Sequence, residues 1–269
     1  MSSPLIDDYD GVLFDLDGVL YTGAEAVEGA VEAAGDLRRR GVGVGFVTNN
    51  ASRSSGAVAE HLSSLGIRAD EEEVFGSATA GVALLREHLA PGSTVLVVGS
   101  EHLRGQVSAA GFAVVESAVD APEAVIQGFS PDVGWRNLAE ASFAVNDGAR
   151  WFATNLDVTL PRDRGIAPGN GSLIEAITRA TGRRPLAAGK PEPMMFLQAA
   201  EALGMHRPLV VGDRLDTDIL GGNRAGFDTA LVLTGIHTET DVDTADEDMR
   251  PHHILTTLAD MFRTTVSRA

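Results

Sequence analysis

Asp15 and Asp17 stand two residues apart at the end of a short apolar run, Gly11-Val12-Leu13-Phe14, and Gly18 follows them. In an extended backbone, positions i and i+2 point to the same side, so both carboxylates converge where the run ends. Like charges that close repel each other. A hard cation that prefers oxygen ligands, such as Mg²⁺, would relieve that repulsion. Gly18 lets the chain turn sharply just beyond the pair. The same residue types also serve plain strand-to-turn junctions, so the pair gains meaning from what lies further along.

Three more polar stations follow. Thr48-Asn49-Asn50 comes directly after the apolar run 42–47. Gly189-Lys190-Pro191 opens a helical pattern, and Gly212-Asp213-Arg214-Leu215-Asp216-Thr217-Asp218 follows the apolar run 209–211. Lys190 is the sole lysine among 21 basic residues. An ammonium is a compact point charge on a flexible stem, whereas a guanidinium is a planar fork. A chain that otherwise uses arginine has kept one small cation. Taken singly, each station has an ordinary use. Thr and Asn cap helices and turns, Asp216 and Asp218 suit a helix N-terminus, and a lysine can face solvent. Four stations together outweigh four separate structural explanations.

The elements that must position them alternate. Residues 27–40 read as an amphipathic helix ended by Gly41, and 42–47 as a buried strand. Helices over 54–65 and 78–89 flank a short strand at 74–75. A second alternating block places strands at 94–98, 113–115, 124–127 and 151–153, with helices at 101–110, 135–146 and 172–181. Between them, 155–171 is dense in Gly and Pro and reads as turns. A helix over 191–203 follows, with Pro191 suited to its first turn. Strands at 209–211 and 230–233 and helices at 217–225 and 256–263 complete the pattern, and the acidic run 238–248 reads as a solvated loop. Strands alternating with helices predict an α/β fold around a parallel sheet. In such sheets ligands sit at the carboxyl ends of the strands, where these stations fall.

Composition narrows the function classes. With 269 residues, 44% of them hydrophobic, the chain can form one large domain or two modest ones. The lack of cysteine excludes disulfides, thiolate metal sites and a cysteine nucleophile. A net charge of −17 argues against nucleic acid or an anionic membrane as partner. It also requires any phosphate site to carry its own local positive charge. No apolar run approaches the ~20 residues of a membrane span, and no basic-then-apolar leader is visible. The expectation is a cytoplasmic, soluble protein. A dinucleotide-binding protein would show Gly-x-Gly-x-x-Gly after the first strand, where this chain has Asp15-Leu16-Asp17-Gly18.

In order and in content, the four stations resemble the four motifs of the haloacid dehalogenase-like (HAD) phosphohydrolases. Within that superfamily the chain is similar to the NagD-like, p-nitrophenyl-phosphatase-like branch (subclass IIA, with a C2 cap). Ala153-Thr154-Asn155-Leu156-Asp157 and Pro168-Gly169-Asn170-Gly171-Ser172 carry the same stamp. The resemblance implies a Rossmann-like parallel-sheet core over 1–81 and 187–269, with an α/β cap inserted over 82–186. It implies Asp15 as nucleophile and Asp17 as general acid and base. Mg²⁺ would be held by the Asp15 carboxylate, the Asp17 backbone carbonyl and Asp213. Thr48, Asn49 (through its backbone or side chain), Asn50 and Lys190 would bind the phosphoryl group, and Asp218 would support Lys190 or metal-bound water. Dehalogenases of this superfamily lack an acid at the position of Asp17, so Asp17 favours phosphate-ester chemistry. The implied partner is a small phosphorylated metabolite, with a homodimer compatible. Transfer of the phosphoryl group to an alcohol, or a non-enzymatic Asp phosphoacceptor, are the alternatives.

Overall fold

The computed structural model describes residues 3–162 and 164–263. The chain forms two compact units, one comprising Met1–Thr48, Ser55–Phe75 and Pro191–Ala269, the other Asn49–Ser54 and Gly76–Lys190.

The first unit is built on a six-stranded sheet. Its order is His253–Leu255, Asp228–Val232, Pro208–Gly212, Gly11–Phe14, Gly43–Thr48, Val74–Gly76. The Gly11–Phe14 strand runs parallel to both neighbours, with Phe14 opposite Val211 on one side and Phe46 on the other. Strands covered on both faces need near-continuous apolar sequence. Accordingly Gly11–Phe14 and Pro208–Gly212 are buried at every position. The helix Ala30–Arg39 turns Ala30, Ala33, Ala34 and Leu37 inward at helical spacing. Leu37 joins Phe14, Phe46, Leu62 and Val211 in the core. Each large side chain buried there contributes about 1.5–3 kcal/mol.

The second unit carries a five-stranded sheet ordered Leu186–Ala187, Arg150–Ala153, Ala124–Gln127, Thr94–Val98, Ala113–Val115. All its pairings are parallel. Val98, Val125 and Trp151 pack with Ile174 and Ile177 of the helix Asn170–Thr181. Among the described residues, no helix is long and apolar enough to cross a membrane.

The elements differ from the sequence expectation in several places, among them the following. The Gly/Pro-dense stretch holds an antiparallel hairpin, Thr159–Arg162 with Gly165–Pro168. A two-stranded ribbon consists only of edges, so proline is tolerated there. The acidic run forms a short helix, Glu239–Thr244, because the Asp241 carboxylate accepts from the Thr238 N–H (2.8 Å) and hydroxyl (2.7 Å) and caps it. The helix after Lys190 begins only at Met194. The last predicted helix is a 3₁₀ segment, Leu258–Phe262.

Candidate active site

In the first unit the backbone register brings carboxylates together. The Asp15 N–H donates to the Val211 carbonyl at 2.9 Å, extending the ladder one residue past the Gly11–Phe14 strand. The adjacent strand ends at Gly212, so Asp213 emerges next to Asp15. Asp15, Asp213 and Asp218 each present a carboxylate oxygen, and these atoms lie within 4.8 Å of one another. Asp213 and Asp218 are each only 1% exposed.

Backbone donors aim both buried acids. The Ile236 N–H donates to Asp213 Oδ2 at 2.8 Å. Gly18, at φ +81°, passes so close that a Cβ would lie 2.6 Å from the same oxygen, which requires glycine on both counts. The Asp218 side chain accepts from the Arg214 N–H at 3.1 Å. Asp218 sits in a single π-helical turn, Leu215–Ile219, in which the Ile219 N–H reaches back five residues to the Arg214 carbonyl at 3.1 Å. Such turns re-aim side chains and recur at functional sites.

These acids suit a divalent cation. The donors are all hard oxygens, as Mg²⁺ prefers. Two buried carboxylates this close to a third repel unless a cation or proton intervenes. The resemblance gives Asp218 a supporting role, whereas here its carboxylate lies in the same group as those of Asp15 and Asp213. Asp17 is exposed and bridged to Tyr21, and its carboxylate is not in that group. Thr48, 4% exposed, ends the strand on the other side of Gly11–Phe14.

In the second unit, Asn49 and Lys190 meet. The Asn49 amide grips the Lys190 backbone at both ends. Its Oδ1 accepts from the Lys190 N–H at 2.8 Å, and its Nδ2 donates to the Lys190 carbonyl at 3.0 Å. The same Nδ2 donates to Asp157 Oδ1 at 2.9 Å. The Asn49 carbonyl accepts from Ser77 Oγ (2.6 Å) and Asn155 Nδ2 (2.7 Å). Gly189 is held so tightly that a Cβ would lie 2.5 Å from the Thr154 carbonyl oxygen and 2.6 Å from Asn49 Oδ1. Lys190 is 3% exposed. Asn50 is exposed, and its Oδ1 accepts from the Ser52 N–H (2.9 Å) and hydroxyl (2.6 Å), which closes a local turn.

Sequence reasoning assigned no role to Ser77, Asn155 or Asp157 in this knot. Asn155 and Asp157 lie within Ala153-Thr154-Asn155-Leu156-Asp157, but Ser77 carries no mark in the sequence. One sequence does not reveal which polar residues will be buried against backbone groups from distant segments.

Comparisons with known proteins give the chain its family. The family described as haloacid dehalogenase-like hydrolase matches residues 12–113, and a HAD-hydrolase-like family matches residues 187–261. The chain is 45% identical over 250 residues to D-glycerol 3-phosphate phosphatase of Mycobacterium tuberculosis, covering 93% of this chain and 70% of that protein. It is 38% identical to the 5'-nucleotidase YutF of Bacillus subtilis, covering 94% and 97%. Among solved structures, the glycerol phosphate phosphatase Rv1692 of M. tuberculosis in complex with magnesium superposes with a TM-score of 0.93 at 43% identity, covering 98% of this chain and 79% of that one. The chain belongs to the haloacid dehalogenase-like hydrolases. It is therefore an enzyme, and its relatives bear the names of phosphatases and a nucleotidase.

Proposed function

We propose that this protein hydrolyses small phosphate monoesters by way of an aspartyl-phosphate on Asp15. It is a phosphatase of the HAD-like family that acts on small phosphorylated metabolites and uses Mg²⁺. The observation that carries the mechanism is the group formed by the Asp15, Asp213 and Asp218 carboxylates at the ends of adjacent parallel strands.

In this reading an Asp15 carboxylate oxygen attacks phosphorus and the ester P–O bond breaks. Asp17, exposed beside the turn, gives its proton to the departing alkoxide. It then takes a proton from the water that attacks the aspartyl-phosphate, which releases inorganic phosphate and restores Asp15. Asp15, the Asp17 carbonyl and Asp213 would hold Mg²⁺, which offsets the charge of the phosphoryl group when bound. Asp218, in the same carboxylate group, would join those ligands or hold them in place.

The Thr48 hydroxyl and the Lys190 ammonium are the proposed phosphoryl-binding groups, because phosphoryl transfer depends on positioning and charge neutralisation. Asn49 contributes through its backbone, since its amide already bonds to Lys190 and Asp157. Asn50 belongs to the same loop, with its side chain turned to Ser52. We assign the second unit, whose Gly76–Lys190 segment contains all of residues 82–186, as the cap. A cytoplasmic location, with a homodimer as the form in solution, completes the proposal.

The substrate class is a small alcohol or sugar phosphate, or a nucleoside monophosphate, judged from the named activities of the relatives. Phosphate release from glycerol 3-phosphate, hexose phosphates and nucleoside monophosphates, with Mg²⁺ and with chelator, tests it. Turnover of at least one of these that is lost on chelation is expected. No Mg²⁺-dependent release from any of them would overturn the reading.

A further inference from the structure

The geometry points to Asp157 as a positioning residue that fixes Lys190 through the Asn49 amide. This inference rests on the proposed catalytic use of Lys190.

The Asn49 amide has two N–H donors and one carbonyl oxygen. One donor group serves both the Lys190 carbonyl and Asp157, and the oxygen takes the Lys190 N–H. Reversing the amide would set N–H against N–H at Lys190 and oxygen against carboxylate at Asp157, so only one orientation satisfies the set. A charged acceptor strengthens the bond that holds it. Asp157 is itself fixed, since its N–H donates to Asn155 Oδ1 at 3.2 Å and its carbonyl accepts from the Gly171 N–H at 2.8 Å. Asn155 in turn grips the Asn49 carbonyl, and Asn170, 1% exposed, donates to the Asn155 carbonyl at 2.8 Å.

A chain of hydrogen bonds thus runs from the segment after the Arg150–Ala153 strand to the backbone of the only lysine. Lys190 carries its charge on four rotatable methylenes, so the placement of the ammonium depends on where its backbone is held. Small displacements of a charge-stabilising group cost rate more than binding. Asp157→Ala frees one Asn49 N–H and loosens the amide. Asp157→Asn keeps an acceptor oxygen at the same place and removes the charge.

Steady-state kinetics of Asp157→Ala, Asp157→Asn, Asn49→Ala and Lys190→Ala, with thermal melts of each, test the assignment. Asp157→Ala should lower kcat about tenfold with KM little changed, the loss expected from a half-buried charge-assisted hydrogen bond. Asp157→Asn should recover most of that rate. Asn49→Ala should lose at least as much, and adding Asp157→Ala to it should cost little more. An unaltered kcat in Asp157→Ala, a loss confined to KM, or an Asp157→Asn variant as slow as Asp157→Ala would each overturn it. Lys190→Ala separates the two levels. Near-normal turnover in that variant would refute the catalytic lysine itself. An inactive Lys190→Ala beside a normal Asp157→Ala would refute only the positioning role.

Discussion

The carboxylate group of the first unit and the amide knot of the second solve opposite problems. Asp15, Asp213 and Asp218 bring three like charges within 4.8 Å, an arrangement that opposes folding unless a cation or proton intervenes. Asn49, Asn155, Ser77 and the Lys190 backbone satisfy one another with short hydrogen bonds, an arrangement that holds itself together. The first region stores the capacity to bind charge, and the second supplies rigidity. The contrast teaches that metal should govern the stability of one region and packing that of the other.

The largest expected effect falls on the carboxylates. Asp15→Asn should lower kcat by on the order of 10³-fold or more, because an amide cannot serve as the nucleophile. Its melting temperature should not fall, since one repelling charge has been removed. A variant that keeps more than a few per cent of turnover would show that Asp15 is not the attacking group.

Next comes the knot. Gly189→Ala places a methyl against the Thr154 carbonyl oxygen and Asn49 Oδ1, and it should destabilise the protein by about 1–3 kcal/mol. That loss should be the same with Mg²⁺ and with chelator. A loss that Mg²⁺ erased would break the distinction between the two regions.

Asp218→Asn sharpens the same contrast from the other side. Without metal it should raise the melting temperature, because about 1 kcal/mol of relieved repulsion corresponds to about 2–4 °C in a chain of this size. Saturating Mg²⁺ should stabilise the wild-type protein and shrink or reverse that advantage. Thermal melts of both proteins across a Mg²⁺ titration give the answer. Identical metal dependence in both would remove Asp218 from the group's electrostatics.

The smallest effect lies away from both regions. His253 is half-buried, and desolvation, partly offset by Asp228, holds its imidazole below the usual histidine range. Its Nε2 lies 3.0 Å from the Tyr9 hydroxyl, which donates to Asp228. A lowered folded-state value means that the unfolded chain takes up the proton first. The neutral-ring contribution is therefore whole above about pH 6.5 and is lost as pH falls from there through the folded-state value. His253→Gln should flatten that part of the pH–stability curve while leaving the carboxylate titration at lower pH. An unchanged slope between neutral pH and about pH 5 would contradict this.

Much of the first region was legible in the sequence because strand periodicity and parallel register together dictate it. Once Gly11–Phe14 and Pro208–Gly212 are neighbouring parallel strands with Phe14 opposite Val211, Asp15 and Asp213 emerge at the same end of the sheet. The place of Asp218 was harder to read. A π-helical turn has no clear sequence mark, and Asp at a helix start is commonplace. The knot was the least legible part. Thr48-Asn49-Asn50 and Gly189-Lys190-Pro191 were visible as stations, but nothing in their spacing showed that the Asn49 amide would hold the lysine backbone instead of a ligand. The hairpin Thr159–Arg162 with Gly165–Pro168 was hidden because its Gly and Pro content is that of a loop, and a two-stranded ribbon tolerates what a central strand rejects.

The central claim is that the phosphoryl group passes through Asp15, and acid quenching during turnover tests it most directly. With a substrate labelled in its phosphate, the account predicts acid-stable, base-labile label on the peptide containing Asp15 in the wild-type protein and none in Asp15→Asn. Steady turnover with no label trapped at any quench time, or equal labelling of the Asp15→Asn protein, would contradict it.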